Sequence, residues 1–419
     1  MNLEIILVRT VLVLTAALSV GISLWGGYYL LTGLMSWRRP MDYGRHPAGT
    51  RFAVLIAARN EELVIGPLIN SLLEQEYPAE LYDIYVIPNN CTDNTALAAR
   101  QFGAEVLECT VPVRSKGEVL RFAEEQLSGR HYDAFCVFDA DNIADEQFLA
   151  RMNDAFCAGA QVCKGAMRAK NPYDSWLSGC YGLYFTLFDT FFSRARMSCG
   201  LSSKLVGTGF AVHRAVLERF GGWNTSTIAE DAEFAAQCAA NGVRVCFVPG
   251  ALTYDEAPND FAVSLRQRRR WCSGIMDVAV RMDAPLVSAL RGSAPLRALD
   301  ALLIVNAPFL QALTLLPLTL TILSSLVQGT AGTLALTGAV SLTLSTLGLM
   351  ALAALLAYLG GYRDRRVVRT VAGFPLFMAA WLPLQLVSLV SRTRSWQPIA
   401  HTRAVRAENL HDAGFLTTI

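Results

Sequence analysis

Four apolar stretches without a charged residue constrain this chain more than anything else in it: Val11 to Leu34, Leu302 to Val327, Leu334 to Leu359 and Val371 to Val390. Each reaches the roughly 20 residues a helix needs to cross a bilayer, and in hydrocarbon such a segment has to satisfy its own backbone as a helix. The first is too long for a signal peptide and has no clear cleavage site. Arg38, Arg39, Arg45 and Arg51 follow it as a stop-transfer flank, which places the polar middle of the chain in the cytoplasm. Gln328 to Thr333 has no basic residue, as an external turn should, and Arg363, Arg365, Arg366 and Arg369 mark the next loop as cytoplasmic. Pro308, Pro317, Pro375 and Pro383 are tolerated where neighbours satisfy the freed carbonyls. One conflict is left, because four crossings end outside, yet Arg392, Arg394, Arg403 and Arg406 follow the last stretch. Either Val371 to Val390 is re-entrant or the tail departs from the charge rule; a true crossing is the expectation carried forward.

The middle of the chain alternates strands and helices. Phe52 to Ala57, Tyr82 to Ile87, Ala104 to Leu107 and Ala134 to Phe138 read as strands, and Glu62 to Gln75, Thr95 to Phe102 and the stretch after Ser115-Lys116-Gly117 as helices. That rhythm predicts an α/β domain, mainly a parallel sheet with helices on both faces. The formal net charge of +1 argues against a nucleic acid partner, and the ten cysteines, without metal-like pairs, are expected to be reduced thiols.

Ala134 to Asn142, AFCVFDADN, runs a buried strand straight into Asp139 and Asp141. Apolar residues want burial and carboxylates want water or a cation, so both acids belong at the strand's exposed carboxyl end, where open α/β sheets hold ligands. Two close carboxylates suit Mg²⁺ or Mn²⁺ shared with diphosphate oxygens, although a lone D-x-D reads more readily as a solvated acidic turn. Lys116, one of four lysines, is either a compact charge near a diphosphate or a solvated helix start. Tyr181, Tyr184, Phe185 and Phe188 sit at helical spacing, as core or as an acceptor wall. Gly207-Thr208-Gly209 offers backbone for close approach. Glu230 and Asp231 precede a helix running to about Ala240, either easing its dipole or, for Asp231, acting as general base. Trp271, Ile275, Val278 and Met282 form one stripe of a basic amphipathic segment, a pattern that usually lies at a membrane interface.

The succession ARNEE, NNCTDNT, SKG, FDADN, GTGF, AEDAEF and QRRRW, followed by apolar helices, resembles the processive membrane glycosyltransferases of family 2. That group includes the cellulose, chitin, chito-oligosaccharide and hyaluronan synthases. The resemblance covers roughly Phe52 to Met282 and implies a GT-A type nucleotide-sugar-binding domain inserted between transmembrane helices. It also implies a metal-dependent, inverting transfer from a UDP-sugar to a β-linked polysaccharide or oligosaccharide, with a lipid acceptor, giving a glycolipid, as the alternative. An inactive nucleotide-sugar-binding scaffold is a third reading. By the same resemblance Asp231 is the base and Asp139 and Asp141 hold Mg²⁺ or Mn²⁺. Asn60, Glu61, Asn89, Asp93, Lys116, Asp139, Gln267 and Arg270 bind the donor, and Gly207, Thr208, Gly209, Glu230 and Trp271 meet the acceptor.

Two positions depart from the family pattern. Asn89 stands where an aspartate is usual, which weakens the case for uridine, and Ala229 stands where a threonine is usual. The domain plan that follows is an N-terminal transmembrane helix (1–36), a linker (37–50) and a cytoplasmic catalytic domain (51–261). Interfacial helices carrying Q-x-x-R-W (262–298), three transmembrane segments (299–391) and a basic tail (392–419) complete it. The setting implied is a bacterial inner or plasma membrane. Membrane lipids are partners by necessity, and Gly332, Gly338 and Gly348 would allow the close helix packing of a homo-oligomer.

Overall fold

The structure, a computed structural model, describes residues 3–38 and 41–393. Arg39 and the tail arginines Arg394, Arg403 and Arg406 lie outside those residues. Helix α1 (Leu3–Leu34) leads through a short turn to a strap that is pinned to the sheet domain. Tyr43 donates its hydroxyl to Phe247 O at 2.9 Å, and Asn153 Oδ1 accepts from the Gly49 and Thr50 amides at 3.2 and 3.1 Å.

The polar middle is built on one eight-stranded sheet. Its strands are β1 (Phe52–Ala58), β2 (Tyr82–Pro88), β3 (Glu105–Val106), β4 (Ala134–Asp139), β5 (Ile143–Ala144), β6 (Val162–Ala169), β7 (Phe210–His213) and β8 (Val245–Asp255). They lie in the order β3-β2-β1-β4-β7-β6-β8-β5. The first four are the strands expected from the sequence, and they pair parallel. The expectation of a mainly parallel sheet needs correcting beyond them, because β7 pairs antiparallel with both β4 and β6, and β5 antiparallel with β8. The sheet is mixed, and the reversal matters to the site. An antiparallel β7 starts where β4 ends, so the chain entering β7 arrives beside Asp139.

Helices α2 (Ile65–Leu73), α3 (Thr95–Gln101), α4 (Lys116–Gln126), α5 (Phe148–Cys157), α6 (Trp176–Leu187), α7 (Ala195–Ser198), α8 (Arg214–Phe220) and α9 (Glu230–Ala240) complete this part. Between α6 and α7 runs a π-helical stretch, Phe188–Arg194. The pleat of β1 explains why both faces are covered. Phe52, Val54 and Ile56 pack on one side with Ile65, Leu68 and Leu72 of α2. Ala53 and Leu55 pack on the other with Val119 and Leu120 of α4 and Phe234 of α9. Successive strand residues point to opposite faces, so a run apolar at every position is buried twice over.

The remaining helices are α10 (Phe261–Ala289), α11 (Pro295–Val305), α12 (Ala307–Leu313), α13 (Leu315–Val327), α14 (Ala331–Leu359), α15 (Val367–Ala379) and α16 (Trp381–Val390). Among the described residues four helical runs are long and apolar enough to cross a membrane: Arg9–Trp37, Ala307–Val327, Ala331–Leu359 and Val367–Val390. The second begins at Ala307 rather than Leu302, since α11 belongs to the sheet domain's flank. There Asp300 forms a buried ion pair with Arg196 at 3.1 Å. The apolar stripe of α10 divides. Val278 and Met282 bury against Ala236 and Ala239 of α9, while Trp271 and Ile275 face a cavity. Segments α15 and α16 lie along the same helix: Arg268 donates to Phe377 O at 2.7 Å, and Arg392 pairs with Asp277 at 2.9 Å.

Candidate active site

The register sets the frame. Ala57 stands beside Asp139 and Ala58 beside Pro88, so the turns after β1, β2 and β4 open on one edge. A cavity of about 1130 Å³ lies there. Its wall takes in Glu61, Asn89, Lys116, Asp139, Asp141, Gly207, Thr208, Glu230, Asp231, Gln267, Arg270 and Trp271. Residues spread over more than two hundred positions of sequence therefore meet at one place.

Each is held there by local chemistry. Ser115 caps α4, its Oγ accepting from the Glu118 amide at 3.3 Å, which sets Lys116 at the helix start. Gly117 lets α4 approach α9, because a Cβ on it would lie 2.2 Å from Thr225 Oγ1 and 3.3 Å from Glu230 Cβ. Lys116 Nζ then reaches Asp139 Oδ1 at 2.5 Å and also donates to Gly207 O. The chain entering β7 is pinned to β4. Gly209 N–H donates to Val137 O at 2.8 Å, and Asp139 N–H to Thr208 Oγ1 at 3.1 Å. Thr208 in turn donates to Asn142 Oδ1, and Asn142 Nδ2 to Asp255 Oδ1 at 2.9 Å. A methyl group built on Gly207 would lie 3.7 Å from Asp139 Oδ2 and 3.9 Å from both Asp231 Oδ2 and Lys116 Nζ. The carboxylate of α9 and that of β4 thus flank the same point.

Ala229, where a threonine is usual, has a packing reason. A Cβ on Gly274 of α10 would sit 2.7 Å from Ala229 Cβ, so both positions are kept small for α10 to lie against the start of α9. That contact brings Gln267, Arg270 and Trp271 over the carboxylates. Gln267 Oε1 accepts from the Tyr181 hydroxyl at 3.2 Å. The Trp271 ring stacks on Trp381 of α16, centroids 6.2 Å apart and planes 20° from parallel, and meets Tyr181 edge-on at 6.2 Å.

Electrostatics follow from burial. Asp231 is raised above the usual carboxylate range mainly by burial. The Ala232 N–H, which donates to its Oδ1 at 2.7 Å, and the charges of Lys204 and Lys116 pull it back. Glu230 is raised too, by burial and by Asp231 beside it. Burial lowers the Arg270 guanidinium, against the pull of Glu230, Asp139 and Asp231. Arg270 and Lys116 are thus two of the cations whose charge acts on Asp139, Glu230 and Asp231.

Two expected donor contacts stand outside the cavity wall. Asn60, in the left-handed region with φ 60°, accepts from Thr92 N–H at 2.7 Å, and Asp93 accepts from the Thr95 amide at 3.1 Å and hydroxyl at 2.5 Å. Both shape the turns that carry Glu61 and Asn89. Gly209 likewise lies outside it. The wall also includes residues that the motifs do not pick out, among them Lys164, Lys204, Asp189 and Trp381. Scarcity was the signal for the lysines, since the chain has only four; no pattern marks Trp381. Of the aromatics in α6 and the π-helical stretch, Tyr184, Phe185 and Phe188 line the cavity and Tyr181 packs in the core.

Among the described residues no three His, Cys, Asp or Glu side chains gather as metal ligands. Asp139 and Asp141, both on the cavity wall at the end of β4, are carboxylates of the kind that would hold a hard divalent ion, which keeps several waters and takes phosphate oxygens for the rest of its shell.

Residues 47–274 match the model described as glycosyltransferase like family 2. A probable glycosyltransferase of Bacillus subtilis, YdaM, is 29% identical over 246 residues, 56% of this chain and 57% of that protein. A beta-monoglucosyldiacylglycerol synthase of Synechocystis is 27% identical over 227 residues, 53% and 47% of the two. A poly-beta-1,6-N-acetyl-D-glucosamine synthase of Staphylococcus epidermidis is 24% identical over 233 residues, 54% and 55%. The chain spans about half the length of these curated relatives. In structure it resembles the mannosyltransferase PcManGT of Pyrobaculum calidifontis, solved with GDP-Man and Mn²⁺. The TM-score is 0.60 at 19% identity, covering 91% of this chain and 99% of that one. The likeness is one of fold, the GT-A fold. With a match that takes in more than half of its residues, the chain belongs to the glycosyltransferase-like family 2.

Proposed function

We propose that this chain is a membrane-integrated, inverting glycosyltransferase that passes a hexosyl or N-acetylhexosaminyl unit from a UDP-sugar to the hydroxyl of an amphiphilic acceptor, giving a glycolipid. The observation that carries this reading is the continuity of the cavity. It runs from Asn89 and Arg114, past Asp139 and Asp231, to Pro308, Trp381 and Gln385 in the apolar helices. An acceptor entering from the lipid side would present its head to Asp231 and leave its tail in hydrocarbon.

Asp231 takes the proton of the acceptor hydroxyl as that oxygen attacks the anomeric carbon. The bond from that carbon to the diphosphate breaks, and its electron pair leaves with the nucleoside diphosphate. One base opposite one leaving group inverts the centre. Arg270 and Lys116 meet the charge that develops on the diphosphate, and such preorganised charge is usually the largest catalytic contribution. A divalent ion held by Asp139 and Asp141 would add Lewis-acid charge at the same oxygens. Glu61 and Asn89 border the nucleoside end, and Gly207, Thr208, Glu230 and Trp271 the acceptor end.

A second reading, extension of a β-linked polysaccharide, is favoured by the stacked indoles of Trp271 and Trp381, a surface suited to the apolar face of a sugar. For either reading the catalytic domain is cytoplasmic, with Arg9–Trp37, Ala307–Val327 and Ala331–Leu359 as crossings. Val367–Val390 is read differently. Its start is bonded to α6, where Cys180 Sγ meets Thr370 O at 3.6 Å, and its end to α10, where Thr393 N–H donates to Ser273 Oγ at 3.2 Å. A segment tied to the catalytic domain at both ends lies along the membrane surface, and the arginines after it then obey the charge rule.

The test is incubation of membranes holding the protein with labelled UDP-glucose, UDP-N-acetylglucosamine and GDP-mannose plus Mn²⁺, followed by solvent partition. A single-sugar adduct in the organic phase supports the glycolipid reading, and an ethanol-insoluble polymer replaces it with the synthase. No incorporation from any donor, or incorporation that survives Asp231→Asn, sinks the assignment.

A further inference from the structure

Lysine is scarce here. Among 36 Lys and Arg residues only Lys116, Lys164, Lys170 and Lys204 are lysines, and three of them, Lys116, Lys164 and Lys204, line this one cavity. Two have partners that explain them. Lys116 is on Asp139, and Lys170 is on Asp141 O at 2.7 Å and Glu256 at 3.1 Å.

The other two line the cavity, and among the described residues neither forms an ion pair. Lys164, 3% exposed in the middle of β6, donates only to Gly165 O at 2.6 Å. Lys204 rests its ammonium 4.0 Å from the centre of the Phe188 ring. The carboxylates nearest in charge are already engaged. Asp189 accepts from Arg168 and from the Met167 amide, both at 3.0 Å, and Asp255 from Asn142 at 2.9 Å. Asp231 is held by the Ala232 amide at 2.7 Å.

An ammonium taken out of water without a counter-ion is costly. Burial accordingly pulls Lys164 down to about 8, and Lys204, half-buried on the cavity wall, is drawn down to about 8 as well. A fold keeps such groups where a ligand brings the missing charge. Their position tells which ligand. The nucleotide end of the cavity is formed by Asn89, Asn90 and Arg114. Lys204 stands at the other end, against Phe188, whose ring meets Tyr184 at 4.6 Å. Tyr184 in turn stacks on Trp381 at 5.7 Å.

We propose that Lys164 and Lys204 receive an anionic oxygen group, phosphate or carboxylate, carried by the acceptor, so that the acceptor is an anionic amphiphile rather than a neutral one. This rests on the glycosyltransferase reading of the cavity and adds the charge of its acceptor.

The test uses the full chain in dodecyl maltoside, titrated calorimetrically with dodecyl phosphate, dodecanol and inorganic phosphate, and separately with UDP plus Mn²⁺. Dodecyl phosphate is expected to bind about tenfold or more tighter than either simpler probe, a gap of ~1.4 kcal/mol. Lys164→Met and Lys204→Met should each remove most of that gap, Lys204→Arg should keep it, and UDP binding should hold in all three. Equal binding of dodecyl phosphate and dodecanol, or methionine variants that bind dodecyl phosphate as the parent does, overturns the proposal. Inorganic phosphate binding as tightly, with the same sensitivity, also overturns it, by assigning the lysines to a free anion. A parent chain that fails to bind UDP instead sinks the UDP-sugar reading of the cavity, an outcome visible in its own titration.

Discussion

Arg392 Nη1 lies 2.9 Å from Asp277 Oδ1, which ties the end of the last apolar segment to the helix that carries Arg270 and Trp271. Arg269 adds a bond to Ser391 O at 3.1 Å. A segment crossing the bilayer would separate its two ends by the ~30 Å of hydrocarbon, whereas these bonds hold its C-terminal end to α10 as the contact between Cys180 and Thr370 holds its start to α6.

The topology is therefore open to a direct check. A fluorescent protein that matures only in the cytoplasm, fused after Ile419, should be bright, and alkaline phosphatase at the same place should be inactive. A dark fluorescent fusion with an active phosphatase would restore the fourth crossing.

Asp231→Asn should lower kcat by on the order of 10²–10⁴ while UDP binding is retained. The parent's activity should fall as pH drops through a value above the ordinary carboxylate range, because burial raises Asp231 and the base must be ionised. The stability sign is opposite. The folded state holds this proton more tightly than the unfolded chain, so the carboxylate costs stability at neutral pH and less as pH falls through its raised value. Asp231→Asn should accordingly raise Tm in detergent; a lowered Tm would contradict the burial argument.

Gly274→Ala tests the contact between α10 and α9. Alanine gains about 1 kcal/mol over glycine in a helix, but its Cβ would sit 2.7 Å from Ala229 Cβ, and overpacking costs about 1–3 kcal/mol. The clash should win, with activity falling more than stability as Arg270 and Trp271 shift off the carboxylates. Adding Ala229→Gly should restore activity, and a double variant as poor as the single one would show that the contact is not the cause.

Arg196 and Asp300 are 1% and 2% exposed in their side chains. Tyr28 of α1 donates to Asp300 at 2.5 Å, and the Arg196 guanidinium lies 3.6 Å from the Phe192 ring centre. Removing one member of a buried pair strands the other charge, at about 3–5 kcal/mol. Asp300→Ala and Arg196→Met should each lower Tm sharply, and the double variant should lose much less than their sum.

What could be read from the sequence is what local patterning encodes. Phe52 to Ala57 and Ala134 to Phe138 are apolar at every position, which forces a strand buried on both faces, and Asp139 follows where burial has to stop. The four long uncharged stretches likewise leave only helices. The tertiary structure alone decided the sense of β7, since Phe210 to His213 pairs equally well either way and only the reversal brings Gly207 beside Asp139. It also decided that Ala229 and Gly274 are small for each other's sake, that Asn60 and Asp93 brace turns outside the cavity wall, and that Trp381 faces Trp271. Such contacts join residues far apart along the chain, and no periodicity records them. The packing energy that selects them exists only once both partners are in place.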